Sequence, residues 1–246
     1  MSMEKENLKI GILTGLTAEA RALGKPSDSF SVVTSAANVT RGLSRLEDLI
    51  NNGANVIGSI GVAGGIKHGF KPGQIILATE VIDCSSKSEL PKDNDARAEE
   101  SPNMIKFEAD KAWFSKIENL FGEDLESGII LGVDKPISEP SAKRLLHEST
   151  TALSVDMESH IVAHLATKAG LPWFAIRIIS DPVERRIPDA ALAAIGSERE
   201  VSVARVLWGL LRRPTDFPAL MGVAGETSMA MRSLKRVGRD FRASIK

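Results

Sequence analysis

The sequence predicts an α/β fold. Short apolar runs alternate with helix-forming stretches, several of these runs exit into glycine, and no internal repeat is visible. Residues 8–14 form the first apolar run, which leaves through Gly15-Leu16-Thr17 into a helix-forming stretch over 18–23. A weaker strand follows at 31–34. Thr40 is placed to cap a helix with Leu43, Leu46, Leu49 and Ile50 on its apolar positions, stopped by Asn52-Gly53. Residues 55–62 form a buried strand ending in glycines, and 74–83 is rich in strand formers.

Residues 84–103 break the alternation. They are rich in Ser, Lys, Asp and Glu, carry Pro91 and Pro102, and predict a long mobile loop. The spacing of Trp113, Phe114, Ile117 and Leu120 predicts a helix over 110–121. A strand at 128–133 and a short helix over 141–147 come next. A helix over about 156–169 places Ile161, Val162 and Leu165 on one face and ends at Gly170, with Pro172 beyond. The run 173–179 is a continuous apolar strand interrupted only by Arg177. Residues 201–246 read as a helical C-terminal extension of one domain spanning 1–246. Its stripe of Val203, Val206, Leu207, Leu210 and Leu211 is bordered by Arg205, Arg212 and Arg213. Together with residues 217–221, such a stripe can pack on the core or lie on a membrane or greasy ligand.

Composition narrows the class. A chain of 246 residues with 43% hydrophobic and 26% charged residues is ordinary for one large globular domain. A formal net charge of -1 gives no basic field for nucleic acid. The single cysteine, Cys84, allows no internal disulfide and fits a reducing compartment. The polar, acidic start is not a secretory signal, and no run approaches the ~20 apolar residues of a membrane span. A cytoplasmic protein is expected.

Two segments carry the chemistry. Ser154-Val155-Asp156-Met157-Glu158-Ser159 runs from a short strand into a helix with a carboxylate at its start, and Arg177-Ile178-Ile179-Ser180-Asp181 delivers another at a strand's C-terminal edge. That edge is where ligands bind in open α/β sheets. Two acids in one crevice suit glycosidic cleavage, one holding the sugar and the other protonating the leaving group. Glu158 also suits a helix start, and Met157 beside it can pack under a sugar ring. Glu19 follows the first strand on the same edge. Gly61-Val62-Ala63-Gly64-Gly65 brings backbone close to a ligand or simply makes a tight strand exit; its spacing is not a dinucleotide fingerprint. Arg21, Arg41 and Arg177 are candidate anion or substrate contacts, and Arg177 in particular needs a partner inside its apolar strand. His160 and His164 share a helix face, but no third ligand is spaced for a metal.

In this order the segments resemble the nucleoside phosphorylase/nucleosidase superfamily, which includes purine nucleoside phosphorylases and methylthioadenosine/adenosylhomocysteine nucleosidases. The resemblance covers most of residues 8–182. Thr14 to Arg21, Glu139 to His147, Val155 to His160, Ser180-Asp181-Pro182, Ile187-Pro188 and Leu210 to Pro214 resemble more narrowly the hopanoid-associated phosphorylases, adenosylhopane nucleosidases. The resemblance implies a three-layer α/β/α sandwich with a central mixed sheet. It implies that Asp181 protonates the purine, that Glu158 binds the ribose hydroxyls with Met157 against the sugar, and that Glu19 orients water. Asp156, Arg177, Val62, Gly64 and, more loosely, Ile137 join the expected substrate site. Gly15, Arg21 and Arg41 would serve phosphate if phosphate replaces water as co-substrate. Val62 stands where hydrolytic members commonly carry a serine.

The resemblance implies no metal and no organic cofactor, a soluble or lipid-linked adenine nucleoside as ligand, and a homo-oligomer. Peripheral contact with a membrane is a further expectation for the lipid-linked case. Methylthioadenosine, adenosylhomocysteine or inosine remain alternative substrates. A non-catalytic purine-binding protein and a purely membrane-associated protein are rivals from other classes.

Overall fold

The computed structural model describes residues 8–85, 104–188 and 217–245. Eight strands form one mixed sheet: β1 (Ile10–Thr14), β2 (Phe30–Thr34), β3 (Val56–Gly65), β4 (Ile75–Asp83), β5 (Ile105–Glu108), β6 (Leu125–Gly132), β7 (Ser154–Asp156) and β8 (Trp173–Asp181). The helices are α1 (Thr17–Leu23), α2 (Val39–Asn51), α3 (Lys111–Phe121), α4 (Pro140–Thr150), α5 (Ser159–Lys168) and α6 (Phe217–Ser244).

The central strands are buried on both faces, which is why they read as continuous apolar runs rather than alternating ones. Successive side chains point to opposite faces of a strand. Leu13, Ile57, Ile76, Ala175 and Ile179 pack on one side with Leu46 of α2 and Ile161, Val162 and Leu165 of α5. Ile12, Val56, Ile75, Leu77, Phe174, Ile176 and Ile178 pack on the other with Leu23 of α1, Ile117 of α3 and Leu234 and Phe241 of α6. Helices therefore cover both faces, as expected for an α/β/α arrangement.

The C-terminal helix packs on the core through residues beyond 217–221, whose side chains lie outside the described residues. Ala230, Leu234, Val237 and Phe241 are spaced to share one face of α6 and are buried in that second core. Phe241 contacts the rings of Phe174, Trp113 and Phe30. This half of the extension packs on the domain. The stripe over 201–211 lies outside the described residues, as does the expected loop from residue 86 to 103. Among the described residues no helix is long and apolar enough to cross a membrane.

Element boundaries depart from the sequence reading in two informative places. α2 is capped by Asn38, whose side chain accepts from the Arg41 N–H; Thr40 sits inside the first turn. The helix expected from 156 starts at Ser159, because Ser154–Asp156 pair as a strand with β3 and β6.

Pairing around β3 makes the opening for a site. One edge of β3 binds β1 through residues Val56 to Ser59 and then binds β7 through Gly64 and Gly65. Its other edge binds β8 almost throughout. β1 ends at Thr14, so a gap opens between β1 and β7 beside residues 60–63 of β3. The chain exits of β1, β7 and β8 all meet at this gap.

Candidate active site

A cleft with an internal volume of about 140 Å³ fills the gap. Its lining includes Gly15, Leu16 and Glu19 after β1, Val62 to Gly64 of β3, Asp156 to Glu158 at the end of β7, and Ser180 and Asp181 of β8. Val133, Pro136, Ile137 and Ile187 also line it. The three acids expected from the sequence thus come to one cavity from three different strand ends. Arg21 and Arg41 do not join them: neither lines the cleft, and Arg21 is exposed on α1.

Glu19 is 3% exposed and its carboxylate accepts three hydrogen bonds. Thr14 Oγ1 and the Leu16 N–H donate to Oε2 at 2.6 and 2.8 Å. The Val62 N–H, which faces the gap in the sheet, donates to Oε1 at 2.8 Å. A carboxylate has about four acceptor positions. One on Oε1 is left for a further donor such as water.

Glu158 is 7% exposed, and Ser35 Oγ donates to its Oε1 at 2.8 Å. Burial, then the nearby charge of Glu19, pushes its carboxyl up to about 7. Ser35 belongs to the loop after β2, where Ala36 and Ala37 have φ of 50° and 54°. Two successive alanines in the left-handed region are strained, and such strain clusters at ligand sites. Ala37 lines the cleft.

Asp181 is 7% exposed and is bracketed by two partners. Lys143 Nζ donates to Oδ2 at 2.5 Å, and Ser180 Oγ donates to Oδ1 at 2.6 Å. Glycine supplies the room these acids need. A Cβ on Gly15 would lie 3.0 Å from Glu158 Oε1, and one on Gly64 would lie 3.1 Å from Asp181 Oδ2. Neither glycine has a positive φ, so close approach, not backbone conformation, is what requires them.

Arg177 and Asp156 take a different position from the one expected. Arg177 is fully buried, and its Nε donates to Asp156 Oδ2 at 2.7 Å while Nη2 donates to Ser59 Oγ at 2.5 Å. The Glu158 and Ser159 N–H groups donate to Asp156 Oδ1, and Ser159 Oγ donates to Oδ2. Burial alone raises the Asp156 carboxyl, but Arg177 and the Ser159 donors outweigh it and hold it below the usual carboxylate range. Asp156 borders the cleft, yet its oxygens serve the floor: they fix the backbone that presents Glu158 and neutralise Arg177. We expect Asp156→Ala to leave a buried guanidinium without its counter-ion and to cost about 3–5 kcal/mol, read from urea denaturation midpoints.

Met157, Val62, Gly64 and Ile137 line the cleft as expected. Lys143, Thr14 and Ser35, each bonded to one of the acids, were not singled out from sequence. Lys143 had one signal: it shares the buried face of α4 with Leu146, three residues on. The histidine pair does not share one environment: His160 is buried and His164 is exposed. His160 is buried with Gly132 against it, and His164 meets the Phe107 ring edge-on at 6.0 Å. Among the described residues no three His, Cys, Asp or Glu side chains cluster to hold a metal. Cys84 is buried and its thiol is pushed up to about 11, first by burial and then by Asp83, which leaves it a poor nucleophile.

Solved structures with the same fold include the methylthioadenosine/adenosylhomocysteine nucleosidase of Helicobacter pylori (20% identical, TM-score 0.61), matched over 86% of this chain and 99% of that one. Futalosine hydrolase of Helicobacter pylori is 19% identical with a TM-score of 0.59, over 86% of this chain and 98% of that one. The nucleosidase of Neisseria meningitidis is 15% identical with a TM-score of 0.60, over 83% and 98%. A search of curated protein sequences returned no match. The family described as the phosphorylase superfamily matches residues 9–212, and the chain belongs to it.

Proposed function

We propose that this protein hydrolyses the N-glycosidic bond of an adenine nucleoside. One observation carries the reading: Glu19, Glu158 and Asp181 line a single cleft, and among the described residues no Lys, Arg or His lines it. Asp181 gives a proton to the departing base as the bond from base nitrogen to C1′ breaks and its electrons go to the base. Glu158 accepts from the ribose hydroxyls and stabilises the electron-poor sugar, with Met157 against the ring. Glu19, held by three donors, orients a water at its remaining acceptor position and takes the water's proton as oxygen bonds to C1′. The names of the similar structures, nucleosidases and a hydrolase, support the same chemistry.

Water is favoured over phosphate on electrostatic grounds. A phosphate dianion beside the Glu19 carboxylate would meet like charge, and among the described residues no cation lines the cleft to offset it. Adenine release is expected to be unchanged by added inorganic phosphate, with free ribosyl product in mass spectra. A ribose 1-phosphate product would overturn the choice of water, and no base release from any nucleoside would overturn the enzyme reading.

The narrower substrate we propose is adenosylhopane, giving adenine and ribosylhopane. Its support is the resemblance of residues 14–21, 139–147 and 180–188, together with the apolar lining by Leu16, Ala37, Ile137, Met157 and Ile187. Adenine release from lipid-linked and soluble nucleosides, compared by kcat/KM, tests it. A clear preference for methylthioadenosine or adenosylhomocysteine would replace it.

A further inference from the structure

We propose that Lys143 is a positioning residue for proton donation: its ammonium holds Oδ2 of Asp181, so that the proton given to the leaving base is carried on Oδ1. The inference rests on Asp181 being the leaving-group acid.

Lys143 is fully buried, which is rare for lysine unless it is paired. Its Nζ has three acceptors: Asp181 Oδ2 at 2.5 Å, Pro182 O at 3.2 Å and Arg185 O at 3.2 Å. Three acceptors match the three donors of an ammonium. Two of them are carbonyls of the turn just after Asp181, so one side chain from α4 ties down both the acid and its exit. An ammonium cannot accept a hydrogen bond, so a proton on Oδ2 toward Lys143 would displace the contact.

Oδ1 has the opposite environment. Ser180 Oγ lies 2.6 Å from it and also 3.1 Å from Ala63 O. A hydroxyl carries one hydrogen. It points to Oδ1 when Asp181 is ionised, and it can turn to Ala63 O when Oδ1 carries a proton. Both states of the acid are thus accommodated by a hydroxyl rotation alone. As the glycosidic bond breaks, the proton leaves Oδ1 for the base, the Ser180 hydroxyl turns back, and the new carboxylate is already paired with Lys143. Without the ammonium that carboxylate would form buried and uncompensated, which opposes the transfer.

The test compares two leaving groups in the full-length protein. Adenine needs protonation to depart, whereas 4-nitrophenolate leaves as the anion. Lys143→Met is expected to lower kcat for adenosine by at least about tenfold and to change kcat for 4-nitrophenyl β-ribofuranoside by less than about threefold, since acid catalysis is worth about 10²–10⁴. Added to Asp181→Asn it should cost little further activity, because both act on one proton. Lys143→Gln keeps donors for the carbonyls and should show the same split, which also covers poor folding of the methionine variant. Equal losses on both substrates, or losses that add to those of Asp181→Asn, would reduce Lys143 to a structural tie and overturn the inference alone. Wild-type cleavage by Asp181→Asn would overturn the acid itself, and this inference with it.

Discussion

Asp181→Asn is expected to lower kcat on adenine nucleosides by about 10²–10⁴ while leaving the cleft's shape intact. The asparagine fills the same space, but its amide has no acidic proton to give the departing base. It also removes the counter-ion of a buried ammonium. Lys143 donates to Asp181 at 2.5 Å with no exposed surface. Breaking a buried pair by removing one partner costs up to about 3–5 kcal/mol, so stability and activity should fall together. The two effects separate in the double variant with Lys143→Met. That variant removes the stranded charge and should regain part of the lost stability in urea denaturation, without regaining turnover. Recovery of turnover, or a single variant as active as wild type, would show that another group protonates the base.

The acids were legible in sequence for a local reason: each stands at or just after the end of a strand. Glu19 comes after β1, Glu158 after β7 and Asp181 at the end of β8. Arg177 announced itself as a lone charge in an apolar strand, but its partner is 21 residues away and only pairing of β3 with β7 and β8 brings the two together. The same long-range pairing makes the gap that becomes the cleft, and no local pattern encodes it. β7 is three residues long, too short to stand apart from the helix that follows. Ser35 reaches Glu158 across 123 residues through a left-handed turn at two alanines, a conformation that alanine does not advertise. The outward position of Arg21 follows from helix geometry. Residues two apart on a helix do not share a face, so a Glu19 turned inward sets Arg21 outward.

Glu158→Gln should have the opposite signature to Asp181→Asn: it should stabilise the protein at neutral pH while lowering kcat/KM by about 10²–10³, the scale for losing one electrostatic contact to a transition state. Burial and the charge of Glu19 lift the Glu158 carboxyl from 4.5 to about 7. The folded state therefore holds this proton more tightly than the unfolded chain. Its contribution is fully present below pH 4.5 and is lost as pH rises through about 7, which amounts to about 3 kcal/mol at 1.36 kcal/mol per pH unit. Glutamine does not titrate and keeps an acceptor for Ser35. The stabilisation by Glu158→Gln should thus be largest above pH 7 and vanish toward pH 4.5, as denaturation midpoints across that range would show. Ribose acts on the same equilibrium with the opposite sign. Two hydroxyls donating to Glu158 favour the carboxylate, so nucleoside binding should release a proton near pH 7 and weaken as pH falls below it. Calorimetric titration in buffers of different ionisation enthalpy measures that proton directly. Binding heats independent of the buffer would mean that the sugar does not engage Glu158, and a destabilised glutamine variant would mean that the buried charge is compensated by more than Arg177 and Ser35.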